Sequence, residues 1–291
     1  NFLKNEKDSL HFRLKILVSD NCSEEYHRKK INEYFIENNF FDIFFQEHNI
    51  GLIGNSIFLF KKVNSDYVWF LGDDDILKTG ILNKVYSVIR KNNNLNYIFI
   101  NHIGFKNNKK NVVSSYDLSE FEGFNNSGSE AFLRFLNNHG TINMFMSANI
   151  YNTDYLRTNY SYVNRLPEID DFLLFSYICS KEKTYIINEC LIYNNLTEVT
   201  WSSRKREIFS ISIPNKIIEF QKFGLEEKRV KETLFDYFNN GRGNFIYLLI
   251  NIKNKKVKNI LKYIRFSNII FLIFNSFFQT IFRILKRYFS I

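Results

Sequence analysis

Three consecutive carboxylates, Asp73, Asp74 and Asp75, follow a run of large apolar residues, Tyr67-Val-Trp-Phe-Leu71, and a single glycine, Gly72. Adjacent carboxylates repel one another unless a cation or solvent relieves them. Hard oxygen ligands of this kind suit Mn²⁺ or Mg²⁺, with substrate phosphates completing the shell. A second acidic pair, Asp170-Asp171, precedes the apolar run Phe172-Leu-Leu-Phe175. A carboxylate there suits general-base work, taking the proton of a hydroxyl as it attacks. Each group also has a plainer reading. Asp75 serves as N-cap of a helix starting at Ile76, and Asp170 and Asp171 sit at the amino end of a helix opened by Pro167, where its dipole favours acids.

The elements that must position these groups alternate. Leu14 to Ser19 reads as a strand ending in Asp20, followed by a helix from Ser23 to about Asn38. Phe41–Gln46 is a strand, Ile53–Val63 a helix, Tyr67–Leu71 a strand, Ile76–Lys91 a helix and Asn96–Asn101 a strand. Such alternation predicts an α/β fold with a mostly parallel sheet flanked by helices. Ligands of open α/β sheets bind at the carboxyl ends of strands, where Asp20 and the triplet both fall. Between them, Asn49-Ile-Gly-Leu-Ile-Gly-Asn55 reads as a turn opening a helix. The run His139 to Ile150 reads as a loop entering a buried strand, and Lys183–Ile187 and Leu191–Tyr193 as two short runs that close the sheet. No GxGxxG follows a strand and no Walker A lysine motif occurs, which disfavours dinucleotide-binding dehydrogenases and P-loop enzymes.

This order of parts, from about Leu14 to about Asn194, resembles the nucleotide-sugar half of family-two glycosyltransferases with the GT-A fold. Asp170-Asp171-Phe172 is similar to the acidic pair that family members carry before an aromatic residue, with Asp in place of their usual Glu, so the choice between the two stays open with Asp171 first. The resemblance implies inverting transfer of a sugar from a nucleoside-diphosphate sugar to a hydroxyl of a glycan or lipid-linked acceptor, in bacterial cell-surface polysaccharide synthesis. It implies that Asp20 bonds the pyrimidine base, that Asn49, Gly51 and Asn55 shape the donor side, and that Asp73, Asp74 and Asp75 serve ribose and metal, with Asp73 and Asp75 as the metal ligands. Family members also begin with an additional strand and helix, not recognisable here, so the sheet is expected to lack a central member. A sugar nucleotidyltransferase also needs acids for metal, but it brings a glycine-rich basic loop that this sequence does not show. A non-catalytic membrane-bound subunit is the alternative from another class.

Composition separates the chain into two regions, 1–200 as the catalytic domain and 201–291 as a helical extension. The net charge is +9, yet Asp236 is the last acid and ten of the 39 bases follow it. The rest of the chain is therefore nearly neutral. In the last segment Asn268, Asn275, Ser276, Gln279, Arg283, Lys286 and Arg287 recur at three- and four-residue steps against Ile, Leu and Phe. This predicts an amphipathic helix lying on an anionic membrane surface, peripheral on the inner face of the cell membrane. The charge lies among Phe and Ile without a recognition motif, which argues against nucleic acid. Three widely spaced cysteines point to neither zinc nor a disulfide framework and fit a reducing compartment.

Overall fold

The computed structural model describes residues 12–36, 41–106, 111–114, 116–160, 171–196 and 202–289, with backbone alone for 111–114, 202 and 282–289. The chain opens with a two-stranded parallel sheet. Strand β1 (Ile16–Asp20) pairs in register with β2 (Phe41–Phe45), and α1 (Glu25–Ile36) connects them. Helix α2 (Gly51–Phe60) leads to β3 (Tyr67–Trp69), the first strand of a larger seven-stranded mixed sheet.

Its path runs β3, β8 (Asn149–Asn152), β5 (Tyr97–Lys106), β9 (Thr184–Asn195) and β4 (Ile76–Leu77). Strand β6 (Asn111–Ser114) joins on β5 and β7 (Gly123–Asn125) on β9. Strands β5 and β9 are parallel, while β8 and β4 run antiparallel to their neighbours. The central strand β5 is buried along nearly its whole length, as its unbroken apolar run Tyr97–Ile100 requires.

No backbone ladder joins the two sheets among the described residues. Side chains join them instead. Ile53 and Phe60 of α2 pack in one cluster with Val68 and Phe70 around β3, while Asn55 of the same helix bonds to Ser19 of β1. Phe12 stacks on Tyr86 of α3 (Ile81–Lys91) ahead of β1.

Three expectations are corrected. The larger sheet is mixed and not mostly parallel, because β3, β4, β6, β7 and β8 all pair antiparallel and only β5 and β9 pair in parallel among its described strands. The helix expected from Ile76 begins at Ile81, because Ile76 and Leu77 extend against Tyr193 and Ile192 of β9 and Gly80 takes the left-handed conformation at φ 85°. Asp75 is therefore not a helix cap. The two short runs at Lys183–Ile187 and Leu191–Tyr193 are halves of one strand, β9, whose register on β5 shifts between Ile100 and His102.

Helices α4 (Ser129–His139), α5 (Thr153–Tyr160) and α6 (Asp171–Ser180) cover the sheet, and α6 is buried at every position. That burial follows from its being apolar on all sides. Beyond it lie a π-helical turn at Ile208–Ser212, α7 (Ile213–Glu219), α8 (Glu227–Asn239), α9 (Phe245–Ile250), α10 (Lys255–Lys262) and α11 (Phe266–Phe289). These helices share one core with α4 and α6, in which Leu133, Leu173 and Tyr177 meet Ile217, Leu234 and Phe245.

Candidate active site

The triplet forms the link between β3 and β4. Gly72 lets the carboxylates come close at its start: a Cβ there would meet Asp75 Oδ2 at 2.8 Å and Asp74 Oδ1 at 3.2 Å, so a side chain would push them aside. The carboxylates thus fold back over the glycine. Ser147, on the turn before β8, holds the arrangement from the other side. Its hydroxyl donates to Asp75 Oδ2 at 2.5 Å and accepts from the Gly72 amide at 2.9 Å. The indole N–H of Trp69 donates to the Ser147 carbonyl at 2.8 Å, and the Asn195 amide at the end of β9 also donates to Asp75.

Burial pushes the Asp75 carboxyl up to about 6, the charges of Asp74 and Asp73 push the same way, and the bonds from Ser147 and Asn195 act against them. Asp74 is raised too, by burial first and by Asp73. Asp73 and Asp74 are exposed. No group of three His, Cys, Asp or Glu side chains among the described residues is arranged to hold a metal. A Mg²⁺ or Mn²⁺ ion shared with a diphosphate needs only one or two carboxylates, so the donor chemistry of the triplet fits such an ion as a part-shell.

On the other proposed side of the donor, the loops after β1 and β2 are stitched together. The Asn21 amide donates to Asn49 Oδ1 at 3.0 Å, and the same oxygen accepts from the Gly51 amide at 2.9 Å. Gly51 takes a φ of +75°, which a side chain would strain. Asn55 accepts from the Ser19 hydroxyl at 2.6 Å and so ties α2 to β1.

Asp20 was expected to offer its oxygens to a base. In the structure it is buried, and those oxygens accept from the Ser23 amide and from Arg28 Nε at 2.8 Å. Burial acts to raise its carboxyl, but the bonds from Ser23 and Arg28 prevail and hold it below the usual range. The guanidinium of Arg28 also donates to the Gln46 carbonyl. The described geometry therefore shows Asp20 organising the loop.

One carboxylate of the Asp170-Asp171 pair, Asp171 first, was expected to serve as general base, and the structure places Asp171 in the interior. The residue is 0% exposed, and its Oδ1 lies 2.6 Å from Lys216 Nζ, which is itself 3% exposed. Glu219 Oε2 stands 3.6 Å from the same nitrogen. An ammonium and a carboxylate buried together must pair, since either left alone in the interior is far costlier. Asp170 lies outside the described residues.

The structure adds residues that local pattern did not reveal. Ser147 is 72 positions from Asp75, and no spacing rule connects a serine to a carboxylate at that range. Lys216 had a signal, as the only base between Arg206 and Lys222 in the largely apolar stretch around Ile208-Phe-Ser-Ile-Ser-Ile213.

Residues 2–157, slightly more than half of the chain, match the model of the family described as Glycosyl transferase family 2. The chain belongs to glycosyl transferase family 2. Among solved structures, this family-two chain is similar to S. aureus TarS, with 18% identity and a TM-score of 0.58 over 82% of this chain and 40% of TarS. It thus spans well under half of that protein. The TarS 1–349 fragment is similar over 90% of this chain and 85% of the fragment, at 14% identity and TM-score 0.53. The same fragment in complex with UDP gives 14% identity and TM-score 0.51 at the same coverage. These likenesses bear out the GT-A type α/β fold. No curated protein matches the chain.

Proposed function

We propose that this chain transfers a sugar from a nucleoside-diphosphate sugar to a hydroxyl of a glycan or lipid-linked acceptor, with inversion, at the cytoplasmic face of the cell membrane. The observation that carries the reading is the Asp73–Asp75 turn, folded over Gly72 at the carboxyl end of β3 and fixed by Ser147, in a family-two chain. The UDP held by the TarS fragment supports a pyrimidine nucleoside diphosphate as the donor's leaving group.

Asp73 and Asp75 would hold Mn²⁺ or Mg²⁺, and Asp74 would face the ribose. The ion supplies charge to screen the departing diphosphate. The turn of Asn49 and Gly51, braced by Asn21, positions the nucleotide, and Asn55 keeps that turn fixed to β1. The attacking hydroxyl loses its proton to a carboxylate of the Asp170-Asp171 pair. With Asp171 bound to Lys216, we assign the base to Asp170 and give Asp171 the task of fixing the start of α6. A single displacement needs no covalent intermediate, which accords with inversion. The product strand belongs to cell-surface polysaccharide synthesis.

The test is thermal stabilisation by nucleotides. UDP with Mn²⁺ should raise the melting temperature, nucleoside triphosphates should not, and Asp75→Asn should abolish the Mn²⁺-dependent part. For the base, Asp170→Asn should lower kcat by about 10²–10⁴ with little change in folding. Loss of kcat on Asp171→Asn that a paired Lys216→Met substitution does not restore would move the base back to Asp171.

A further inference from the structure

Helix α11 is mounted with its apolar side outward. At 3.6 residues per turn, Phe266, Ile270, Phe271, Phe274, Phe277 and Phe278 fall within an arc of about 140°. All six are exposed, Phe266 at 78% and Phe278 at 65%. The opposite arc meets the body of the protein. There Leu272 and Ser276 are buried, the Asn275 amide donates to the Asn239 carbonyl at 2.7 Å, and the Gln279 amide donates to the same carbonyl at 2.9 Å. A helix that merely covers a water-soluble domain does the reverse, burying its aromatic side and showing its amides.

The flank of this face decides what covers it. Lys253, Lys255, Lys256, Lys258, Lys262 and Arg265 are all exposed in the stretch leading into α11, and the chain carries no acid after Asp236. A second copy of the chain would bring the same bases to the same place and repel them. An anionic surface that is apolar beneath satisfies both halves. We propose that the outward face of α11, with the basic stretch from Lys253 to Arg265, docks on an anionic lipid surface, the aromatic side chains entering the interface and the bases meeting the headgroups.

The fixing of α11 makes this a docked helix and not a crossing one. No single described helix is long and apolar enough to span a membrane. Helices α10 and α11 together pass such a test only as a pair bent by 115°. To straighten and cross, α11 would have to give up the bonds of Asn275 and Gln279 to Asn239.

This inference stands apart from the transfer reaction, and the experiment separates them. The full chain is sedimented with vesicles of phosphatidylcholine, with and without phosphatidylglycerol, and UDP binding is measured on the same samples. Binding should require phosphatidylglycerol and weaken with salt. Phe274→Ser with Phe278→Ser should lower it at least about tenfold. Lys255→Gln, Lys256→Gln and Lys258→Gln together should lower it about a hundredfold, at roughly fivefold per base. Melting temperature and UDP affinity should stay unchanged in both, since every altered residue is exposed. Equal vesicle binding by the variants overturns the proposal. So does retention of the full chain through a carbonate wash, which would make α10 and α11 a crossing pair. A dimer in light scattering that the Phe274 and Phe278 changes dissociate, with no vesicle binding, overturns it in favour of self-association. Loss of UDP binding with vesicle binding intact counts against the transferase reading alone.

Discussion

Asp75 and Asp171 stand in similar acidic runs, yet the fold gives them opposite surroundings. Asp75 is half-buried among like charges, with only a hydroxyl and an amide for relief and no basic side chain in ion-pair reach among the described residues. Asp171 is wholly buried against an ammonium. The first arrangement is unfavourable by itself and is improved by an incoming cation. The second is complete as it stands. The charge of the first acidic run is left unbalanced among the described residues, and that of Asp171 is balanced at its joint with Lys216.

The largest effect should come from unbalancing the joint. Lys216→Met leaves the Asp171 carboxylate buried without its cation and should cost about 3–5 kcal/mol in denaturant unfolding. Adding Asp171→Asn should recover most of that loss. If Lys216→Met alone is neutral, the pair is not buried as described and the contrast with Asp75 fails.

A third buried titratable group sharpens the comparison, because it has a backbone hydrogen bond with Ile100 but no charged partner among the described residues. His102 is buried between Phe145 and Tyr116, and its Nδ1 has no hydrogen-bond partner among the described residues. Burial lowers its pKa from 6.5 to about 4. With the folded value depressed, the unfolded chain binds the extra proton between these values. The contribution to stability is therefore full above about 6.5 and is lost as pH falls towards 4, on the order of 3 kcal/mol in all. His102→Phe should flatten that window in a pH series of melting curves. An unchanged acid limb would show that His102 is not held neutral.

The smallest effect on stability belongs to Asp75, where function should change most. Its carboxyl is raised above the unfolded value, so its contribution is present below about 4 and is lost as pH rises through about 6. At neutral pH Asp75→Asn should therefore stabilise the metal-free protein, by on the order of 1 kcal/mol once solvent screening of this partly exposed group is discounted. A destabilised Asp75→Asn protein would mean that the triplet is structural, like Asp171.

How much of this was legible follows from the range of each interaction. The alternation of strands and helices up to Asn101, the glycine before the triplet and the amphipathic tail are local patterns, and the fold keeps them. The start of α3 was misread because pairing of Ile76 with Tyr193, 117 positions away, prevailed over the helical pattern. The Ser147 bond to Asp75 and the Lys216 bond to Asp171 are likewise contacts between distant segments. Polarity alone could not separate an acid pair aimed at solvent from one closed on a lysine.

Among the described residues no backbone ladder joins β1–β2 to the larger sheet, and this has a kinetic meaning. Hydrogen bonds across a sheet break cooperatively along its whole width, whereas the two layers here are joined by side chains, through the packing of α2, its Asn55 bonds to Ser19 and Phe12 on Tyr86. Strands β1 and β2 with α1 can then open as one unit without melting β5, and amide exchange in β1 and β2 would report that opening rather than global unfolding. A ligand touching both Asn49 and the Asp73–Asp75 turn would bridge the two layers and slow exchange throughout the smaller one.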